Sequence, residues 1–221
     1  MAPGVSPFRS RAPGGSDGGD FEMIGSPETP VVFAKVYLLN LERYGISLLC
    51  GDIDDAVASQ VISELIYLSG RFERAPLLFV SSPGGDFDAA LNIIDVMETL
   101  PTGVATFVSG SAASAALLVS MAGKKGGRWI SPSAQLMSHH YSAGVEGSGK
   151  EIKAERKRMD YLNKLMESMY EKHTGLSVRT IRTLLKTESA WINPKEAVSK
   201  YRMADHVGIE ILKEYLKCSS S

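Results

Sequence analysis

The chain has 221 residues, 44% hydrophobic and 22% charged, which excludes disorder throughout, collagen-like repetition and a highly charged tail protein. Lysine and arginine number 24 against 25 aspartates and glutamates, a net charge of −1, so no broad basic field exists to hold the phosphates of a nucleic acid. The length suits one generous domain with a single core.

Residues 1 to about 30 are dense in Gly, Pro and Ser and carry few large apolar groups, so they cannot offset the entropy of ordering a backbone. They read as a flexible arm or a removable leader. The start, MAPGVSPFRSRAPGGSDGGDF, lacks the apolar middle of a secretory signal; its arginines and serines fit an organellar transit peptide, but Asp17, Asp20 and Glu22 count against one. From Val31 the pattern changes. VVFAKVYLL reads as a strand or β-ribbon and ISLLC (46–50) as a second, closed by Gly51, so the domain is expected over 31–215 with a flexible tail at 216–221.

After GDIDD, the apolar positions Val57, Val61, Leu65 and Leu68 recur at helical spacing, with Asp54 or Asp55 available as the cap. PLLFVSS (76–82) predicts a strand. A helix follows between Gly85 and Pro101, with Ala90, Ile94 and Met97 facing a core. Next come a strand near Val104–Val108, a turn at SGSAAS, and a short helix through Leu117–Met121 stopped by Gly123. AQLMS is strand-like. A longer helix is predicted from about Lys150 to Lys172, where Ile152, Met159, Leu162, Met166 and Met169 keep an apolar stripe and EIKAERKRMD a charged face. That stripe fits packing on its own domain and fits a contact between subunits equally well. Unbroken apolar strands alternating with helices imply an α/β fold, a parallel sheet covered on both faces.

Two cysteines, Cys50 and Cys218, cannot form a disulfide framework and suit a reducing compartment, so cytoplasm is the default. No apolar run reaches the roughly 18 residues that a membrane span requires, and no membrane partner is expected. No Cys pair or His-x-x-His spacing marks a metal site, and His139 and His140 point apart if they lie on a strand, so neither metal nor cofactor is expected.

The Pro83-Gly84-Gly85 turn lets a backbone approach closely, and its amides could hold an oxyanion; a plain strand-to-helix turn explains it as well. Ser114, among small residues before an apolar helical run, suits acyl transfer at a helix start. It equally suits a packing seam in which Ser111 or Ser114 is an N-cap. The G-x-S-x-G elbow is absent, which disfavours a standard α/β-hydrolase. A serine hydroxyl needs a base. Of four histidines, His139 and His140 stand where a strand pattern ends, and either could enter a cleft; His173 ends the long helix, where a cation complements the dipole, and His206 lies in a late polar turn.

Taken in order, GDIDDAVASQVISELIYL, SSPGG, GSAASAALL, LMSHH, the charged helix and NPKEAVSKYRMADHVG resemble the proteolytic subunits (ClpP) of the ATP-dependent Clp protease family, over about Ile46 to Gly208. The resemblance implies a crotonase-like fold with repeated strand-helix units and a protruding handle helix (150–172). It also implies a serine endopeptidase that cleaves unfolded polypeptides inside a chamber of stacked, by resemblance heptameric, rings, fed by an AAA+ Clp ATPase. Carried over by position, the nucleophile falls on Ser114, the general base on His139 in the Met-x-His place, and the oxyanion donors on the turn of Gly84 and Gly85, through the Gly85 amide, and on Ala115. The family acid stands two residues before an aromatic, where this chain has Ser189 ahead of Trp191. Glu188 is its neighbour. The site then has Glu188 as its third member, works as a Ser–His dyad, or is catalytically weak, as in a ring subunit supporting an active paralogue. A phage-type capsid-maturation protease and a crotonase-type acyl-CoA enzyme complete the alternatives.

Overall fold

A computed structural model describes residues 41–141, 144, 146–186 and 189–217. The expected arm, the VVFAKVYLL strand, Glu188 and Cys218 lie outside the described residues. In chain order the elements are β1 (Ile46–Cys50), α1 (Asp55–Arg71), β2 (Leu77–Ser82), α2 (Phe87–Thr99), β3 (Ala105–Ala113), α3 (Ala115–Met121), β4 (Arg128–Ile130) and β5 (Gln135–Ser138). They continue with α4 (Gly149–Thr174), α5 (Val178–Leu185), β6 (Ala190–Ile192), α6 (Pro194–Ser199), β7 (His206–Val207) and α7 (Glu210–Lys217). The last helix thus runs two residues into the expected tail.

The strands order as β1-β2-β3-β4-β7, all parallel, with β5 parallel to β3 and β6 antiparallel to β5. Apolar strands bury both faces. Leu49, Leu78, Val80 and Val108 enter one core with α1, α2, α3 and the inner part of α4; Ile46, Leu77, Ala105 and Phe107 face the other way, onto Ile211 and Tyr215 of α7. The helix starts are set chemically: Asp54 accepts from the Val57 N–H, Asp86 from Ala89, and Ser148 and Glu151 form a reciprocal capping box.

The expected turn at SGSAAS is not a turn. β3 continues through Ala113 because it changes partner: Thr106–Val108 pair with β4, and Ser111–Ala113 pair with β5. Gly110, at φ +70°, lies at the changeover, beside a register shift between Val80 and Ser82 of β2. Glycine reaches that conformation without a Cβ penalty, so the strand bends and resumes.

The apolar stripe of α4 divides along its length. Its members Leu162, Met166 and Met169 are buried in this chain's own core, beside Tyr170, whereas Ile152 near the other end is 40% exposed; Tyr161, on another face, is exposed as well.

An ion pair between buried Arg128 and half-buried Asp205 ties the C-terminal segment to the sheet. The Arg128 guanidinium donates to both carboxylate oxygens of Asp205, at 3.0 and 2.6 Å, and to the His173 carbonyl at 2.9 Å. Burial alone would raise the Asp205 carboxyl, but hydrogen bonds from Arg128 and the Gly126 N–H bring it below the usual carboxylate value. Removing one partner leaves a buried charge, so Asp205→Ala is expected to cost about 3–5 kcal/mol in chemical denaturation. A loss no larger than that of an exposed pair such as Lys200–Glu196 would contradict this.

Candidate active site

Two parallel neighbours, β3 and β5, end side by side, with Ala113 opposite Met137. The next residues therefore emerge at the same, carboxyl, end of the sheet, where α/β folds place their crevices. Ser114 follows β3 directly, and its N–H donates to the Met137 carbonyl at 2.9 Å, closing the ladder. The chain then turns into α3 through an unusual backbone, φ 54° and ψ −125° at Ser114. A non-glycine residue there is strained. The result is a sharp strand-to-helix turn without the G-x-S-x-G signature, made possible because Ala112, Ala113, Ala115 and Ala116 around it are small and buried.

Ser114 occupies the N-cap position of α3 but makes no side-chain cap bond. Its hydroxyl is spent elsewhere: Oγ lies 2.7 Å from Nε2 of His139. Of the two adjacent histidines, His139 thus meets the serine. His140 turns to the long helix, with Nδ1 3.0 Å from Oδ1 of Asn163. Ser111 stays within β3, opposite Gln135.

The Pro83-Gly84-Gly85 turn lies against this pair. A Cβ on Gly84 would sit 2.7 Å from the Ala113 carbonyl, 2.8 Å from the Ser114 Cβ and 3.1 Å from the Ala115 nitrogen. A Cβ on Gly85 would strike the Ile53 backbone at 2.3 Å. These contacts, more than turn geometry alone, require glycine at both positions. The turn is held by Ile53 N–H to the Gly84 carbonyl, Asp86 N–H to the Ile53 carbonyl, and Gly84 N–H to Ser82 Oγ. The Gly85 amide is left out of these bonds, and Ala115, as the first helical residue, has an N–H without an intrahelical acceptor. Ser82 was not singled out from sequence; its only signal is the Ser-Ser pair preceding the turn.

The remaining sequence candidates separate. Ser189 precedes β6, which pairs with β5 as Ser138 opposite Ala190 and Met137 opposite Trp191. Continued by one residue, that register sets position 189 opposite 139. His173 is not the helix-end cation expected from sequence. It is buried, and desolvation above all, aided by Lys172, Arg128 and Lys125, holds its pKa below the ordinary value despite Glu98. Its Nε2 lies 3.3 Å from a Glu98 carboxylate oxygen without hydrogen-bond geometry. His206 is an exposed β7 residue stacked on Trp129, with centroids 4.4 Å apart. Among the described residues no cluster of three or more His, Cys, Asp or Glu could hold a metal ion, and no helix is long and apolar enough to cross a membrane.

The Clp protease family model matches residues 33–210. The chain belongs to the Clp protease family. Among its relatives, ATP-dependent Clp protease proteolytic subunit 3 of Streptomyces coelicolor is 34% identical over 163 residues, which is 73% of this chain and 74% of that protein. Proteolytic subunit 1 of Corynebacterium jeikeium is 32% identical over 183 residues, 82% of this chain and 96% of the relative. Proteolytic subunit 1 of Streptomyces avermitilis is 32% identical over 163 residues, 73% and 74%. The α/β architecture with its mostly parallel sheet agrees with this membership.

Two measurements check the local physics. Gly84→Ala is expected to destabilise by about 1–3 kcal/mol through strain and contact, whereas Gly70→Ala, on α1 with open space around it, should stabilise by roughly 0.5–1 kcal/mol; denaturant midpoints of the two variants should move in opposite directions. For His173, the unfolded state takes up a proton near pH 6.5 while the folded state resists it, so stability falls as pH drops below about 6.5. The fall in denaturation midpoint between about pH 7.5 and about pH 5.5 should be smaller in His173→Gln than in the parent; equal falls would show that burial does not hold this imidazole neutral.

Proposed function

We propose that the chain is a serine endopeptidase of the Clp type, with Ser114 as nucleophile and His139 as general base. The observation that carries this reading is the 2.7 Å contact between Ser114 Oγ and His139 Nε2. At that distance the imidazole can take the hydroxyl proton as oxygen attacks a scissile carbonyl, then deliver it to the departing amine. The carbonyl oxygen becomes an anion. In this reading the Gly85 and Ala115 amides are its donors. Water then repeats the sequence on the acyl-enzyme.

The third member of the site is proposed to be Glu188. The register that brings position 189 opposite His139 supports a partner from the residues just before β6. Its carboxylate would hold the imidazole tautomer with the proton on Nδ1 and stabilise the imidazolium that forms. Without it the pair works as a slower dyad.

The exposed outer half of α4, with Ile152 and Tyr161 uncovered, supports its use as a handle between stacked rings of identical subunits. The rings would enclose a chamber in which polypeptides are cut. The relatives' names include ATP dependence, which supports a Clp ATPase as the partner delivering unfolded substrate.

Intact protein should form a fluorophosphonate adduct at Ser114, and Ser114→Ala should lose peptide hydrolysis entirely. Equal rates in the two proteins would leave a scaffolding subunit. Glu188→Gln should lower kcat by up to about 10⁴, and an unchanged rate would reduce the site to Ser114 and His139.

A further inference from the structure

The strand carrying His139 ends at the residue before it, since β5 stops at Ser138. Beyond that point α4 supplies contacts on both sides of His139. On one side, Ser138 Oγ and the Tyr170 hydroxyl are 2.7 Å apart, both residues buried. Burial pushes the Tyr170 phenol well above its ordinary pKa, more than the Ser138 bond lowers it, so the hydroxyl stays protonated. On the other side, Asn163 Oδ1 lies 3.0 Å from His140 Nδ1 and accepts the Tyr141 N–H at 3.0 Å.

The chemistry of this second grip is determined. A backbone N–H can only donate, so the Asn163 atom facing it is the oxygen, and the same oxygen must accept from His140. The His140 proton is thus on Nδ1. Tyr141 is held further by its ring, edge-on to Phe87 at 5.5 Å, and Phe87 begins the helix that follows the Gly84-Gly85 turn.

The spacing fits. Asn163 and Tyr170 are seven residues apart, two turns on one helical face, or about 10.5 Å of helix. Their partners, residues 141 and 138, are three residues apart, about 10 Å of extended chain. Helix and strand end run in opposite directions, and two prongs of one meet two points of the other.

Resting on the peptidase reading above, we propose that α4 positions the general base: Asn163, through His140 and the Tyr141 amide, and Tyr170, through Ser138, clamp the chain on both sides of His139 and keep Nε2 on Ser114. These are positioning residues. None touches the reacting atoms, and each acts through the placement of the imidazole. A base displaced by about 1 Å can lose on the order of a hundredfold in rate.

The test is steady-state peptide hydrolysis by Asn163→Leu, His140→Leu, His140→Gln and Tyr170→Phe. Both leucine variants should lose about ten- to a hundredfold in kcat with KM changed by less than about twofold. His140→Gln, whose amide can still donate to Asn163, should recover most of the rate. Tyr170→Phe removes one oxygen only and should show a smaller loss of the same kind. A kcat unchanged in Asn163→Leu, or no recovery in His140→Gln, overturns the proposal. Hydrogen exchange of the Tyr141 amide gives a readout independent of turnover: it should quicken in Asn163→Leu while α1 amides keep parental rates, and equal Tyr141 exchange overturns the clamp. The two readings fail separately. An absent fluorophosphonate adduct on the parent sinks the peptidase assignment, and exchange then still decides whether α4 holds this segment.

Discussion

Everything at the candidate site follows from the pairing of β3 with β5. Parallel neighbours end at the same edge, and a register of Ala113 opposite Met137 means that the residues just beyond them share one small volume. Twenty-five positions separate Ser114 and His139 in the chain, yet no long excursion or induced closure is needed to join them. The condition is that β3 reach that far. It does so by leaving β4 at Gly110 and continuing along β5, so a single residue able to take φ +70° governs whether the hydroxyl arrives.

Local signals were the legible ones. Asp54 before a helical apolar rhythm is its own argument for a cap, and Ala90, Ile94 and Met97 are buried where their spacing puts them. Small residues around Ser114 were also readable, though not their purpose; in the structure Ser114 makes no side-chain cap bond and its hydroxyl meets an imidazole instead. The fold class was written in the alternation of apolar strands and helices because a parallel sheet buried on both faces permits few polar interruptions.

What escaped the sequence is contact across large separations. Nothing near Arg128 announces Asp205, 77 positions away, and so the short strands β4 and β7 that this pair fastens had no pattern of their own. His173 looked like a helix-end cation because the dipole is a local property, whereas its burial under α2 and beside Arg128 is not. The α4 stripe carries one rhythm over its whole length, and only the position of α3 and α5 decides which part is covered. Likewise, Asn163 is an ordinary polar residue on a charged helix until His140 and Tyr141 are found against it.

The backbone at Ser114 has a thermodynamic corollary. Glycine enters that region of conformational space without a Cβ penalty, while serine bears about 1–3 kcal/mol for staying there. The domain would be sturdier with no side chain at this corner. A hydroxyl thus stands where architecture alone would prefer hydrogen, and the proposed nucleophilic role of Ser114 gives that oxygen a use the scaffold does not.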